Sequence, residues 1–146
     1  MPRLRFHMDP SFCNFFKEAL GSIIDAVGGE LIPGRYQPQD TLDAEIWEDG
    51  IQEYNHDISE ALKDFVASKE FGFSEMKLSD EELTLVVQAC SYFRLRIRSA
   101  LLGCFKDEQL EAGSIDLENL SPAVRDAYIV YMGLASIQSE IVDTLL

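Results

Sequence analysis

The sequence predicts a bundle-like all-α domain with four main helices, one short helix and, optionally, a small β element at one end. Two observations predict this fold class. Apolar residues recur at intervals of three and four along four long stretches, which is the spacing of amphipathic helices. Capping residues and prolines mark where several of these stretches begin. The chain has 146 residues, of which 47% are hydrophobic, and this supports a single domain over 1–146 that folds without a metal or a disulfide.

The N-terminal part combines a short alternating segment with the first helix. Apolar and basic side chains alternate in residues 3–8, which is the period of a half-buried strand. Asp9 and Pro10 follow, and an aspartate cap with proline at the first helical position is typical of a helix start. Gly28 and Gly29 end this helix. Its predicted apolar stripe contains Phe12, Phe15, Phe16, Ala19, Leu20, Ile23 and Val27.

The middle of the chain predicts two helices. A short one covers residues 41–49, and Asp49 and Gly50 are expected to kink or end it. A longer one covers residues 51–68. Its predicted buried stripe contains Ile51, Tyr54, Ile58, Leu62, Phe65 and Val66. At 100° per residue, four carboxylates fall on the opposite side of this helix: Glu53, Asp57, Glu60 and Asp64.

The C-terminal half predicts two long helices. A capping box at residues 79–82 opens a helix over about 80–105, the most apolar helix and therefore the expected centre of the bundle. Residues 106–120 are interpreted as a loop. Ser121 and Pro122 then open the last helix, which runs to the C-terminus. The segments that are expected to pair into a small sheet are 3–8, 75–78 and 114–118.

The negative charge of the chain is concentrated in its middle. The formal net charge is −14, and residues 40–82 hold fourteen carboxylates against three lysines, a local net charge of −11. Binding to nucleic acid or to an anionic membrane surface needs a basic face, so the composition argues against both. A basic protein or peptide partner and divalent cations remain compatible with this charge.

Cysteine usage and the absence of a leader pattern predict a cytoplasmic protein. The three cysteines, Cys13, Cys90 and Cys104, lie in apolar stretches that are predicted to be helical. We expect all three to be buried free thiols, as in a reducing compartment. The sequence shows no signal-peptide pattern and no apolar run of membrane-spanning length.

Arg94 and Arg98 form the densest basic cluster together with Arg96. Arg94 and Arg98 are four residues apart and therefore share one face of the central helix. Because a buried arginine needs a partner, they predict either internal ion pairs or a site for an anion or a partner carboxylate.

No catalytic, cofactor or metal site is predicted. Glu53 and His56 have the Glu-x-x-His spacing of di-iron bundles. However, such sites need a second copy of the motif, and this pair points away from the predicted core. The acidic spacing also lacks the pattern of a calcium-binding EF-hand loop.

The four carboxylates of the acidic helix repel one another, and folding does not require that arrangement. It is compatible with a solvated solubility face, a docking face for a basic partner, or a loose site for divalent cations. We favour a non-enzymatic interaction or regulatory domain that docks a basic partner through Glu53, Asp57, Glu60 and Asp64. Trp47 and Tyr54 are the candidate aromatic anchors.

Two alternatives come from other functional classes. One is an acidic decoy that mimics nucleic acid, and the other is a small-molecule or metal-binding enzyme built in the bundle. The chain is expected to be a monomer or a homodimer. The reason for the dimer is that Ile129, Val130 and Ile137 lie off the main stripe of the last helix.

The helix motifs carry a family resemblance. Residues 78–81 (LSDE) start a helix that contains residues 93–97 (FRLRI), and Pro122 opens a final helix with Tyr128 and Tyr131. This order resembles an uncharacterised bacterial family of small helical proteins, often encoded beside the adaptor of the Clp protease. The resemblance implies a helical fold and a cytoplasmic accessory or regulatory role, with no established activity and no catalytic residue. The very acidic middle of this chain departs from the family's pattern.

Overall fold

The computed structural model describes residues 2–27, 41–73, 75–112 and 115–146, without the side chains of 27 and 41–52. The described chain is an all-α bundle with a small antiparallel sheet, which confirms the predicted fold class. The helices are α1 (Pro10–Val27), α2 (Thr41–Ala67), α3 (Asp80–Ala100), α4 (Asp107–Ala112) and α5 (Pro122–Leu145). The strands are β1 (Arg3–Leu4) and β2 (Met76–Lys77), and a 3₁₀ helix covers Leu117–Asn119.

Helix α3 is the centre of the bundle, as predicted. The ground for that prediction is wrong, because α1 and α5 are both more apolar than α3. It packs against α1, α2 and α5, and its contact with α5 is the most extensive between any two elements. Leu83, Cys90, Phe93 and Ile97 of α3 are fully buried. Burial of one such side chain contributes roughly 1.5–3 kcal/mol, so the three long helices around α3 supply most of the stabilising apolar contact.

The predicted helix starts are present as hydrogen bonds. Asp9 Oδ1 accepts from the backbone N–H groups of Ser11 and Phe12, at 2.9 and 3.3 Å. Ser79 and Glu82 form a complete capping box at the start of α3. Ser121 accepts from the backbone N–H of Val124 at the start of α5. Each cap satisfies backbone donors that the first turn of a helix leaves free.

An aromatic cluster joins the N-terminal segment to the loop after α2. Phe71 is fully buried, and its ring centroid lies 5.1 Å from Phe6, 5.4 Å from Phe65 and 6.2 Å from Phe16. Gly72 follows in a left-handed conformation with φ of 77°, which glycine adopts without a steric penalty. The turn lets the Gly72 carbonyl accept from the backbone N–H of Met8 at 3.0 Å.

The small sheet contains two residues from each of two predicted segments, 3–8 and 75–78. β1 and β2 pair antiparallel, with Arg3 opposite Lys77 and Leu4 opposite Met76. Glu75 lies 3.3 Å from Arg3 and 2.6 Å from Arg5. The hydrogen bond from Arg5 lowers the pKa of the Glu75 carboxyl below its ordinary value. The charged carboxylate therefore favours the folded state, and this contribution is lost as the pH falls from the ordinary pKa through the lowered one.

The third predicted sheet segment, 114–118, forms no strand over its described residues, 115–118. Leu117–Asn119 forms a 3₁₀ helix, and the side chain of Asp116 accepts from the backbone N–H of Glu118. A capping aspartate offers the backbone a local partner that competes with strand pairing.

The boundaries of three predicted helices are also wrong, because the predicted helices 41–49 and 51–68 form one helix and α3 is shorter than predicted. α2 runs without interruption through Asp49 and Gly50. One glycine inside a helix costs only about 1 kcal/mol relative to alanine. The helical residues on both sides of Gly50 outweigh that cost. α3 ends at Ala100 instead of 105, and the predicted loop after it contains α4. Cys104 consequently lies outside the helix and is exposed, whereas Cys13 and Cys90 are buried as expected.

The off-stripe residues of α5 lie partly inside the molecule. Val130 and Ile137 are buried in the core, and Ile129 is half-buried. The apolar surface from which a homodimer was predicted is thus largely used within one chain. The oligomeric state itself stays a prediction.

Candidate functional site

The acidic face of α2 is presented to solvent as the sequence predicts. The side chains of Glu53, Asp57, Glu60 and Asp64 are all exposed. On the other side of the helix, Ile58, Leu62 and Phe65 are buried in the core. Burial of this apolar side holds the helix in place against the core. The relative positions of the four carboxylates are therefore fixed as well. We call these four carboxylates the acidic face.

Among the described residues, one weak ion pair reaches the acidic face. Lys63 approaches Glu60 at 3.9 Å, at the limit of an ion pair, and both side chains are about half exposed. An exposed pair of this kind is worth at most about 1 kcal/mol. The like charges repel at intervals of four by ~0.2–0.5 kcal/mol per contact, so a bound cationic group would relieve repulsion at several positions together.

Tyr54 was predicted to be buried, and this is wrong. Its side chain is 46% exposed, while Asn55 beside it is buried. Tyr54 is about 80° from Leu62 around the helix axis, so it lies at the edge of the buried stripe. The exposure leaves Tyr54 available as an aromatic anchor beside the acidic face. The Trp47 side chain lies outside the described residues.

A groove of about 510 Å³ runs between the C-terminal half of α2 and the start of α3. Half-buried Ala61, Leu78 and Leu85 give it an apolar floor. Its carboxylate lining comes from both helices: Asp57, Glu60, Asp64 and Glu82. We call it the α2–α3 groove. It adds apolar contact area directly beside the acidic face, and sequence patterns did not indicate it because it arises from the packing of two helices.

Arg98 forms the internal ion pair that was one of its two predicted roles. Its Nη2 lies 2.9 Å from Asp107 Oδ1. Arg98 also donates to two backbone carbonyls, from Nη1 to Leu102 at 2.6 Å and from Nη2 to Phe105 at 2.7 Å. These carbonyls lie in the turn between α3 and α4, and the Leu102 carbonyl also accepts from the backbone N–H of Phe105 at 3.1 Å. Arg98 therefore holds the turn into α4 together.

Arg94 makes its contacts with neutral groups. Its Nη1 donates to Gln138 Oε1 at 3.1 Å, and its guanidinium lies 4.7 Å from the centroid of the Tyr131 ring. Gln138 in turn donates to Ser91 Oγ. The Nε of Arg94 is buried without a hydrogen-bond partner. The two arginines are thus separate, each fixed by different contacts, and the structure does not join them into one anion site.

A second groove, of about 530 Å³, lies where the N-terminal segment and the start of α1 meet α5. Phe6, Met8 and Phe12 line one side, and Ile129 and Met132 line the other. We call it the α5 groove. It shares no lining residue with the α2–α3 groove.

The remaining chemistry-bearing side chains form no cluster in the described chain. Among the described residues, no three His, Cys, Asp or Glu side chains lie close enough to hold a metal ion. His56 lines the α2–α3 groove. Burial raises the pKa of the Cys90 thiol to about 12, and the nearby Arg94 opposes that shift. In the parts of the chain that the structure describes, no helix is long and apolar enough to span a bilayer.

Comparisons with known proteins give no relative to set beside this geometry. No protein-family model, curated protein or solved structure matches the chain. The resemblance to a small helical bacterial family accordingly stays a prediction.

Proposed function

We propose that the chain is a non-enzymatic, cytoplasmic interaction or regulatory domain that docks a basic segment of a partner protein on the acidic face. The observation that carries the proposal is the α2–α3 groove beside the acidic face. Solubility alone does not require an apolar groove beside the charged face, with carboxylates on both of the helices that line it. The pairing of a desolvated apolar centre with a charged rim is the usual anatomy of a protein-binding patch.

The electrostatics support a basic partner. Exposed carboxylates on a rigid helix attract a cationic segment before contact, which raises the association rate and selects against acidic partners. Tyr54, exposed at the edge of the same helix, offers a large contact with few rotatable bonds, which is the property of binding hot spots.

A comparative pull-down from native cells tests the proposal. The baits are the unaltered chain, the variant Asp57→Lys/Glu60→Lys, and the control variant Glu108→Lys/Glu111→Lys. Both variants change the net charge equally at positions three residues apart, and the control positions lie exposed on α4. We expect mass spectrometry to identify a basic protein with the unaltered and control baits that is lost with the α2 variant. Equal recovery with all three baits would contradict docking on the acidic face.

The alternative of a nucleic-acid-mimicking decoy needs one continuous acidic surface. Exposed carboxylates occur on all five α-helices of the described chain, for example Glu18 on α1, Glu81 on α3 and Asp143 on α5. The decoy is therefore not favoured by a specific observation, and we do not propose it.

A further inference from the structure

We propose that the α5 groove binds a small apolar molecule that carries one cationic amine. This site goes beyond docking of a protein partner, and none of its lining residues belongs to the acidic face.

The size of the α5 groove fits a small molecule. Its volume of about 530 Å³ falls within the range of about 300–1,000 Å³ that is typical of ligand sites. Three parts of the chain line it: the N-terminal segment, the first turn of α1 and the middle of α5.

The apolar lining is suited to an aromatic or alkyl body. Phe12 is 37% exposed although its ring stacks on the buried Phe16 with 6.2 Å between centroids. The groove therefore offers a rigid aromatic surface whose burial is incomplete. Met8 and Met132 lie half-buried in the lining, and methionine side chains adapt to the shape of an apolar ligand.

The charged lining selects a cation. Asp9 and Glu140 are both exposed and both line the groove. His7 lines it as well, and no lysine or arginine is among its described lining residues. The cap of α1 uses Asp9 Oδ1, which leaves Oδ2 for a ligand. An ammonium group gains from a carboxylate and from an aromatic face together, because the ring carries negative charge on its face.

Matched probes test the selectivity. 4-Phenylbutylamine, 4-phenylbutanoate and 4-phenyl-1-butanol share one apolar body and differ in the charge of the end group. Each is titrated into the full chain labelled with ¹³C at the methionine methyl groups. Met8 and Met132 report the α5 groove, and Met76 reports the α2–α3 groove. We expect the amine to shift Met8 and Met132 saturably while Met76 stays unchanged, and the carboxylate to bind at least about tenfold more weakly.

Charge variants test the role of the carboxylates. Asp9→Asn/Glu140→Gln removes both charges and keeps the cap, because asparagine caps helices as well as aspartate does. Glu18→Gln/Asp25→Asn removes two exposed charges on α1 outside the groove. We expect the Kd of the amine to rise about fivefold in the first variant and to stay unchanged in the second.

Three results would overturn the proposal. The first is no saturable shift of Met8 and Met132 with the amine. The second is equal binding of the amine and the carboxylate. The third is an equal change in the Kd of the amine in both charge variants. That result would show that the net charge of the chain attracts the amine and that the groove is not a specific site. These outcomes do not affect the pull-down with the α2 variant. Failure of the α5 groove proposal is therefore distinguishable from failure of the protein-docking proposal.

Discussion

The contact between Gly133 and Phe16 gives the sharpest prediction for stability. Gly133 lies in the middle of α5, and a Cβ atom added there would lie 2.4 Å from Cε2 and 2.8 Å from Cδ2 of Phe16. The favourable separation of carbon atoms is about 3.5–4.0 Å. The Phe16 ring is fully buried and stacks between Phe12 and Phe71, so a shift by the required ångström would disturb its contacts with both rings.

Two opposing terms set the magnitude for Gly133→Ala. Alanine gains about 1 kcal/mol over glycine inside a helix. Overpacking a tight core costs about 1–3 kcal/mol, and the 2.4 Å approach places this site near the upper end. The expected net loss is about 2 kcal/mol, or a fall in Tm of roughly 4–8 °C for a domain of this size.

Gly21→Ala is the matched control. Gly21 lies exposed within α1, and an added Cβ there meets no atom within 4 Å. The helix propensity then acts alone and stabilises by about 1 kcal/mol. Urea unfolding followed by far-UV circular dichroism at 25 °C measures both variants. If Gly133→Ala is as stable as the unaltered chain, or more stable, the argument from the Phe16 contact is refuted.

Three further predictions concern the turn after α3, the N-terminal cap of α3 and the cysteine thiols. Arg98→Ala should lower the free energy of unfolding by on the order of 2 kcal/mol because two carbonyls lose a charged donor. Asp107→Ala should lower it by less than about 1 kcal/mol because the Asp107 side chain is 82% exposed. Equal losses in urea unfolding would assign the effect to the ion pair. Ser79→Ala should lower the free energy of unfolding by about 1 kcal/mol because it removes the capping box. Ser99→Ala, in the exposed last turns of α3, should leave that free energy unchanged. Equal Tm values for the two variants would contradict the role of the cap. In the native state a thiol-alkylating reagent should label Cys104 alone, because the other two thiols are buried; mass spectrometry that finds rapid labelling at several cysteines would refute this.

Local signals in the sequence predicted the parts of the fold that depend on neighbouring residues. The caps at Asp9 and Ser79 fixed the starts of α1 and α3, since a cap needs only donors within the next turn. The apolar stripe around Ile58 and Leu62 also predicted which side of α2 faces the core. The exposure of Glu53 followed from the same periodicity.

Features that depend on distant contacts were not predictable in this way. Phe71 lies in a short loop, and only the assembled rings of Phe6, Phe16 and Phe65 make that loop part of the core. The early end of α3 and the exposure of Cys104 likewise follow from the bonds that Arg98 makes beyond the helix. Neither groove has a sequence signature, because each requires elements that are far apart in the chain to meet.

The exposed position of Tyr54 allows the proposed docking to be tested directly in cells. The photo-crosslinking residue p-benzoylphenylalanine is placed at Tyr54, beside the acidic face, or at Leu95, an exposed control position on α3. Docking on the acidic face predicts one discrete crosslinked product from position 54, with a basic protein, that disappears when Asp57→Lys and Glu60→Lys are added. Absence of that product, its persistence in the charge-reversed chain, or the same product from position 95 would contradict the account.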